Sequence, residues 1–238
     1  MRILVIPDLH GKTCWKEAVA KKDFDKVVFL GDYTDSWDVT DDIIVNNVLD
    51  IIAYKKANPD NVICLLGNHD IQYKFFPDFR CSGFRASYAT TLYNIFKVEK
   101  DVFLNAYGYK NYIFTHAGIS KKWYKQYESD ILEFGAKYGF TDLVETINAM
   151  GESSQAFKLY EVGMMRGGLR GNQGGICWAD KNETLEGIIP DYHQIVGHTP
   201  QAQITTYNKF MGTVYEDRSI TYCDTLDKDK KTFLILDI

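Results

Sequence analysis

Three short apolar runs set the frame of this chain. Ile3-Leu4-Val5-Ile6, Val27-Val28-Phe29-Leu30 and Val62-Ile63-Cys64-Leu65-Leu66 are rich in β-branched residues and show no polar alternation. A strand with one wet face alternates, whereas an unbroken run of this length fits a strand covered on both faces. Between the runs lie stretches with helical spacing. One helix is expected over residues 13–22, with Thr13 as its cap, and a second over 41–57. In the second, Ile44, Val48, Ile51 and Ile52 recur at three- and four-residue steps, and Asn58-Pro59-Asp60 stops the pattern. Strand, helix, strand, helix, strand implies right-handed parallel crossovers and an α/β sheet.

The remainder is less regular. Residues 72–98 read as loop followed by helix, 109–115 as a further strand, and 121 to about 165 as mostly helix with breaks at Gly135 and Gly139. Five glycines within residues 167–175 demand a loop. The tail carries short strand patterns at 194–196, 203–206, 213–215, 220–223 and 233–236, for which an antiparallel meander is expected. No repeat or linker interrupts the chain. One domain over residues 1–238 is therefore expected, with a mainly helical insertion around 120–175 near the active site. Trp123, Tyr124 and Tyr127 are expected to pack the core or a lid.

Composition narrows the class. Hydrophobic residues make up 45% and charged residues 25% of the 238, which supports a buried core and excludes a disordered, collagen-like or coiled-coil chain. The apolar runs fall far short of the ~20 residues that span a bilayer. Pro7-Asp8 ends the first run before it reaches signal-peptide length, so a cytoplasmic setting without membrane attachment is expected. Net charge is −5, and lysines fall in scattered pairs such as Lys21-Lys22 and Lys230-Lys231, with no stripe that signals nucleic-acid binding. The five cysteines contain no Cys-x-x-Cys and are read as reduced thiols, mostly core filler, with structural zinc the minority alternative.

Function is decided by the residues directly after each strand pattern. The first pattern runs into Asp8-Leu9-His10-Gly11, the second into Gly31-Asp32-Tyr33-Thr34-Asp35 and the third into Gly67-Asn68-His69-Asp70. Later patterns run into Thr115-His116-Ala117-Gly118 and Gly197-His198-Thr199-Pro200. Ligands in α/β sheets bind beyond the carboxyl ends of the strands, so these clusters can converge on one crevice. Four of the five histidines sit in them; His193 has no motif around it and is read as structural. Asp8, His10, Asp32, Asn68, His116 and His198 make sense as ligands of two metal ions. Mixed carboxylate, imidazole and amide donors suit manganese, iron or zinc. Two dications less two aspartates and a hydroxide leave a centre of roughly +1, which clamps a phosphate oxyanion. Asp70 and Asp180 are expected to hydrogen-bond loop backbone.

The ordered set D-x-H, G-D-x-x-D, G-N-H-D, H-A-G and G-H-T-P, from Asp8 to His198, resembles the calcineurin-like metallophosphoesterases, closest to their Ser/Thr protein phosphatase and diadenosine tetraphosphate hydrolase branches. The resemblance implies a four-layer α/β/β/α sandwich, two mixed β-sheets face to face with helices outside. It implies that Asp8, His10 and Asp32 hold a first metal, that Asp32 bridges, and that Asn68, His116 and His198 complete a second, with manganese the leading ion. Pro200 stands where many members place a further histidine, which leaves the first metal open to water or substrate.

The implied chemistry is in-line attack of a metal-bridging hydroxide on a phosphomonoester, phosphoserine and phosphothreonine among them. His69 is the implied general acid and Asp35 the carboxylate that holds it, while Asn68 also donates to a phosphate oxygen. Protein phosphatases of this type place, after the second aspartate, an arginine that grips phosphate, but here Ser36 and Trp37 occupy those positions. Arg166 is the first candidate replacement, with Arg170, Arg80 and Arg85 as others. The expected partners are a phosphorylated small molecule, a nucleotide or a phosphoprotein. The alternatives are a nucleotide-directed hydrolase, acting on a dinucleoside polyphosphate or a phosphodiester, and a catalytically silent binding module.

Overall fold

Apolar runs of four or five residues become parallel strands when helices cover both faces. In a computed structural model, which describes residues 1–21, 23–226 and 232–238, the chain opens with β1 (Arg2–Ile6), α1 (Trp15–Lys21), β2 (Lys26–Phe29), α2 (Asp41–Ala57), β3 (Val62–Leu65), α3 (Asn68–Lys74), α4 (Ala86–Val98) and β4 (Phe103–Leu104). It continues through β5 (Tyr107–Tyr109), β6 (Tyr112–Phe114), α5 (Lys121–Tyr138), α6 (Leu143–Gly151), α7 (Ala156–Leu159), α8 (Lys181–Glu186) and β7 (His193–Val196). The tail holds β8 (Thr205–Tyr207), β9 (Lys209–Phe210), β10 (Thr213–Val214), β11 (Ser219–Tyr222) and β12 (Leu234–Asp237). Lys22, the expected end of the first helix, and the Lys230-Lys231 pair lie outside the described residues.

Residues 1–104 and 223–238 form one compact unit, and residues 105–222 another. The first unit centres on a sheet ordered β12-β1-β2-β3-β4. β1 to β4 run parallel, Val5 opposite Val28 and Val28 opposite Ile63, while β12 lies antiparallel with Asp237 opposite Arg2. α2 buries Ile44, Val48, Ile51 and Ile52, the side chains its spacing selects, each worth about 1.5–3 kcal/mol on removal from water. Because β1, β2 and β3 are parallel, the loops after all three leave the same edge of the sheet.

The second unit centres on a sheet ordered β5-β6-β7-β11-β8, with β6, β7 and β11 parallel and the edges antiparallel. Ser120 Oγ accepts the Trp123 N–H to open α5, and the Asp142 carboxylate opens α6. Trp123 is buried and donates its indole N–H to the Lys158 carbonyl, as packing rather than a surface platform. Both sheets are mixed, five-stranded and flanked by helices. Among the described residues, no helix is long and apolar enough to cross a membrane.

Four local expectations are corrected. The expected single strand over 109–115 is a hairpin, because Lys110 takes a left-handed conformation and reverses the chain. α5 runs through Gly135 and stops at Gly139, whose positive φ of 81° ends a helix without a Cβ clash. The tail is not a meander: β7 pairs parallel with β11, β9 and β10 pair alone, and β12 joins β1. Strand patterns identify extended segments, but not their partners. Finally, α3 begins at Asn68 and runs on to Lys74, into the stretch from residue 72 where loop was expected.

Candidate metal and phosphate site

In the first unit, the turn after β1 is tied to the turn after β2. The N–H groups of Leu9 and His10 donate to the Asp32 carbonyl at 3.0 and 2.8 Å, and that of Gly11 to the Tyr33 carbonyl at 3.0 Å. His10, Asp32 and Asp35 all hold left-handed backbone, with φ of 46°, 51° and 55°. Such strain in non-glycine residues costs of order 1 kcal/mol or more and concentrates at functional sites. Asp70 binds the next turn: its Oδ1 accepts the Tyr33 N–H at 2.9 Å and its Oδ2 the Gly67 N–H at 3.0 Å. The backbone role expected of Asp70 is thus what the structure shows.

Gly67 is required by proximity. A Cβ there would lie 2.1 Å from Asp32 Oδ1. Gly67→Ala is therefore expected to push the carboxylate aside, to lower stability by about 1–3 kcal/mol in thermal denaturation, and to weaken manganese binding in calorimetric titration.

Asp8, His10 and Asp32 each offer a ligand atom, all within 4.8 Å of one another. Asp8 and Asp32 are buried, and two buried carboxylates at this spacing call for cationic charge nearby. The His10 ring is oriented for ligation. Its Nδ1 lies 3.0 Å from the carbonyls of Thr34 and Asp35, a donor position, which turns Nε2 to within 3.8 Å of Asp32 Oδ2. This donor set fits a borderline divalent cation.

His69 opens α3 beside Asn68, and its N–H donates to Asp32 Oδ1 at 2.9 Å. Its Nδ1 is 2.8 Å from Asp35 Oδ2. Asp35 is buried and held by further donors: Gln72 Nε2 on Oδ2, and the hydroxyls of Tyr73 and, at 2.7 Å, Tyr88 on Oδ1. Burial works against a charged His69 ring. The charge of Asp32, the hydrogen bond to Asp35 and contact with Cys81 outweigh it, and hold the imidazole well above its ordinary pKa. Gln72, Tyr73 and Tyr88 were missed by the sequence reading. Gln72 and Tyr73 lie three and four residues after His69 on one face of α3, so their signal was the helix start at Asn68.

Beside His69 and Asp35 opens a cavity of about 530 Å³ lined by His10, Lys12, Trp37, Phe84 and Arg85 among others. Trp37 is 86% exposed. Arg85 is committed elsewhere, paired with Asp41 at 2.6 Å and bonded to the carbonyls of Val39 and Ser36. Arg80 stacks its guanidinium over Phe84.

The second unit carries the other expected ligands. His116 comes after β6 and is buried; His198 comes after β7 with a φ of 62°. His116 Nε2 and His198 Nδ1 lie 3.2 Å apart. That is the separation of two nitrogens bound to one cation, about 3.0–3.4 Å from metal–nitrogen lengths near 2.0–2.1 Å. Arg166 pairs with Asp180 at 2.9 Å and donates to Thr199 Oγ1 at 2.8 Å, which fixes it beside the residue after His198. Arg170 is exposed, and His193 is held by Ser219 Oγ at 2.9 Å, away from these groups' chemistry.

Comparison with known proteins gives the family and the fold. A family model described as calcineurin-like phosphoesterase matches residues 1–202. A cold-active protein-tyrosine phosphatase of a psychrophilic Shewanella species shares the fold at 16% identity and a TM-score of 0.59, covering 99% of this chain and 75% of its own. A protein serine/threonine phosphatase from Saccharomyces cerevisiae aligns at 14% identity and a TM-score of 0.52, covering 99% and 79%. Comparison with curated proteins gives no match.

Proposed function

The chain belongs to the calcineurin-like phosphoesterase family and is a metal-dependent phosphoric ester hydrolase, and on that premise we propose that its substrates are phosphomonoesters. The observation that carries this reading is the Asp35–His69 pair beside the Asp8–His10–Asp32 cluster: a held proton donor next to a cation site suits loss of an alcohol from a phosphate.

Asp8, His10 and Asp32 would hold one cation, and Asp32, Asn68, His116 and His198 a second. Bound there, two divalent ions, manganese foremost, supply Lewis acidity that makes water nucleophilic at neutral pH and neutralises phosphate charge. The protein's own groups do the rest. Asn68 and Arg166 donate to phosphate oxygens, Arg166 standing in for the arginine that Ser36 and Trp37 displace. His69 gives its Nε2 proton to the departing oxygen while Asp35 keeps the ring oriented and charged. The group next to the acid is the leaving alcohol, so the cavity walled by Trp37 and Phe84 receives it.

Phosphorylated protein side chains, phosphotyrosine with phosphoserine and phosphothreonine, fit this arrangement; the phosphatases whose fold the chain shares act on such residues by their names. The test compares manganese-loaded protein on p-nitrophenyl phosphate, bis-p-nitrophenyl phosphate and diadenosine tetraphosphate. Monoester hydrolysis that vanishes with chelation and returns with manganese is expected; preference for either of the other two substrates overturns the reading in favour of the nucleotide-directed alternative. Trp37→Ala is expected to raise KM for a phosphotyrosyl peptide about three- to tenfold with kcat unchanged, since an exposed aromatic contact is worth about 0.5–1.5 kcal/mol. Steady-state kinetics on paired phosphotyrosyl and phosphoseryl peptides measures it.

A further inference from the structure

The cysteines are expected to be mostly core filler, and Cys81 is one that is not. Cys64, Cys177 and Cys223 are buried, while Cys81 is only partly covered. Its Sγ lies 3.7 Å from His69 Nδ1, the nitrogen that also faces Asp35 Oδ2 at 2.8 Å. The three ligand atoms lie within 4.8 Å of one another. Gln72 braces the arrangement from behind: its Oε1 accepts the Cys81 N–H at 3.2 Å while its Nε2 donates to Asp35.

We propose that Cys81, His69 and Asp35 form a third cation site, selective for zinc, whose occupation switches the enzyme off. Thiolate, imidazole and carboxylate form a zinc-type donor set, unlike the oxygen- and nitrogen-rich set proposed for the catalytic pair. The spacing suits the ion. Zinc–sulfur and zinc–nitrogen lengths of about 2.3 and 2.0–2.1 Å in a tetrahedron put sulfur and nitrogen about 3.6 Å apart, against the 3.7 Å observed. The carboxylate oxygen needs to draw back from the ring by only about half an ångström. Three protein ligands leave the fourth position to water.

The consequence comes from proton bookkeeping. Zinc binding expels the Cys81 S–H proton and the His69 Nδ1 proton to solvent, and Asp35 Oδ2 turns its lone pair from the ring to the ion. The ring keeps its Nε2–H but is no longer an imidazolium. A metal-bound neutral imidazole is a far weaker acid, so the leaving oxygen loses its proton donor. This inference rests on His69 being that donor for its effect on rate, but not for the existence of the site.

The test separates the two. In the full chain loaded with manganese, zinc is expected to slow alkylation of Cys81 by iodoacetamide, read at that residue by peptide mass spectrometry, while manganese is not. Cobalt is expected to give a thiolate-to-cobalt absorption band that Cys81→Ser and Cys81→Ala both lack. Neither readout needs turnover, so both survive failure of the phosphatase reading. For activity, zinc inhibition measured against each protein's own manganese-supported rate is expected to be at least about tenfold weaker in both variants than in wild type. Unchanged alkylation with zinc present, a cobalt band that persists in the variants, or equal zinc inhibition of wild type and variants overturns the proposal. In the last case zinc acts by replacing manganese at the catalytic pair.

Discussion

His69→Asn is expected to lower kcat on phosphoserine by about 10²–10⁴-fold and on p-nitrophenyl phosphate by much less. The two substrates differ in what leaves. A serine alkoxide cannot depart at neutral pH without a proton, whereas p-nitrophenolate departs without one. A donor of that proton therefore shows its worth only on the first. The surroundings of His69 are built to keep it charged: Asp35 lies 2.8 Å from its Nδ1 and is itself fixed by Gln72, Tyr73 and Tyr88. These surroundings set the sign of the pH effect. With the charge of Asp32 offset by bound cations, the Asp35 hydrogen bond is what keeps the acid form present above the pH at which free histidine loses it, and activity is lost as pH rises through that folded-state value. Asp35→Asn removes the partner charge, so the alkaline fall in kcat sets in at lower pH. Pre-steady-state or steady-state rates across the pH range on both substrates read this. An equal loss on the two substrates, with an unmoved alkaline limb, assigns His69 to phosphate binding instead.

The ease of reading this chain differed sharply between its parts. The N-terminal parallel sheet was legible because Ile3–Ile6, Val27–Leu30 and Val62–Leu66 carry their environment in their composition: only a doubly covered strand tolerates such a run. α2 was legible from four apolar residues alone. The second sheet was not, because its strands are three or four residues long and partner choice depends on contacts distant in sequence. Lys110 illustrates the same limit: nothing marks it as the one residue that turns left-handed and splits a strand into a hairpin.

The candidate ligands were legible because each sits at a strand end with a glycine or a tight turn beside it. The groups that tune them were not. Tyr88 reaches Asp35 from α4, more than fifty residues along the chain, and Tyr73 reaches it only because α3 starts at Asn68. The setting of Cys81 was not legible for a related reason. A cysteine between loop residues carries no local mark of the histidine it will face, and its meaning appears only when α3 and the segment after it fold back together. Chemistry borne by a motif is visible in sequence; chemistry borne by packing against that motif is not.

Asp32→Asn is expected to drop bound manganese from two ions per chain toward one or none and to lower kcat by at least about 10²–10³-fold. Asp32 carries two tasks in one carboxylate. Its Oδ1 accepts the His69 N–H at 2.9 Å, which an asparagine oxygen can still do. Its Oδ2 faces His10 Nε2 at 3.8 Å, where the cation would lie. The substitution thus preserves the turn and its positive φ, which asparagine tolerates, while removing the charge that offsets two dications. With the net positive charge of the pair one unit higher, the ions repel each other more and the second binds poorly. Asp8→Asn serves as the contrast. It weakens only the ion shared with His10, so metal analysis should find close to one manganese, and hydrolysis should recover in part at high manganese concentration. Thermal midpoints of both metal-free variants should lie close to that of metal-free wild type, because neither change opens a cavity. If Asp32→Asn retains two ions and normal turnover, Asp32 is no bridge, and the catalytic centre must be built on other residues.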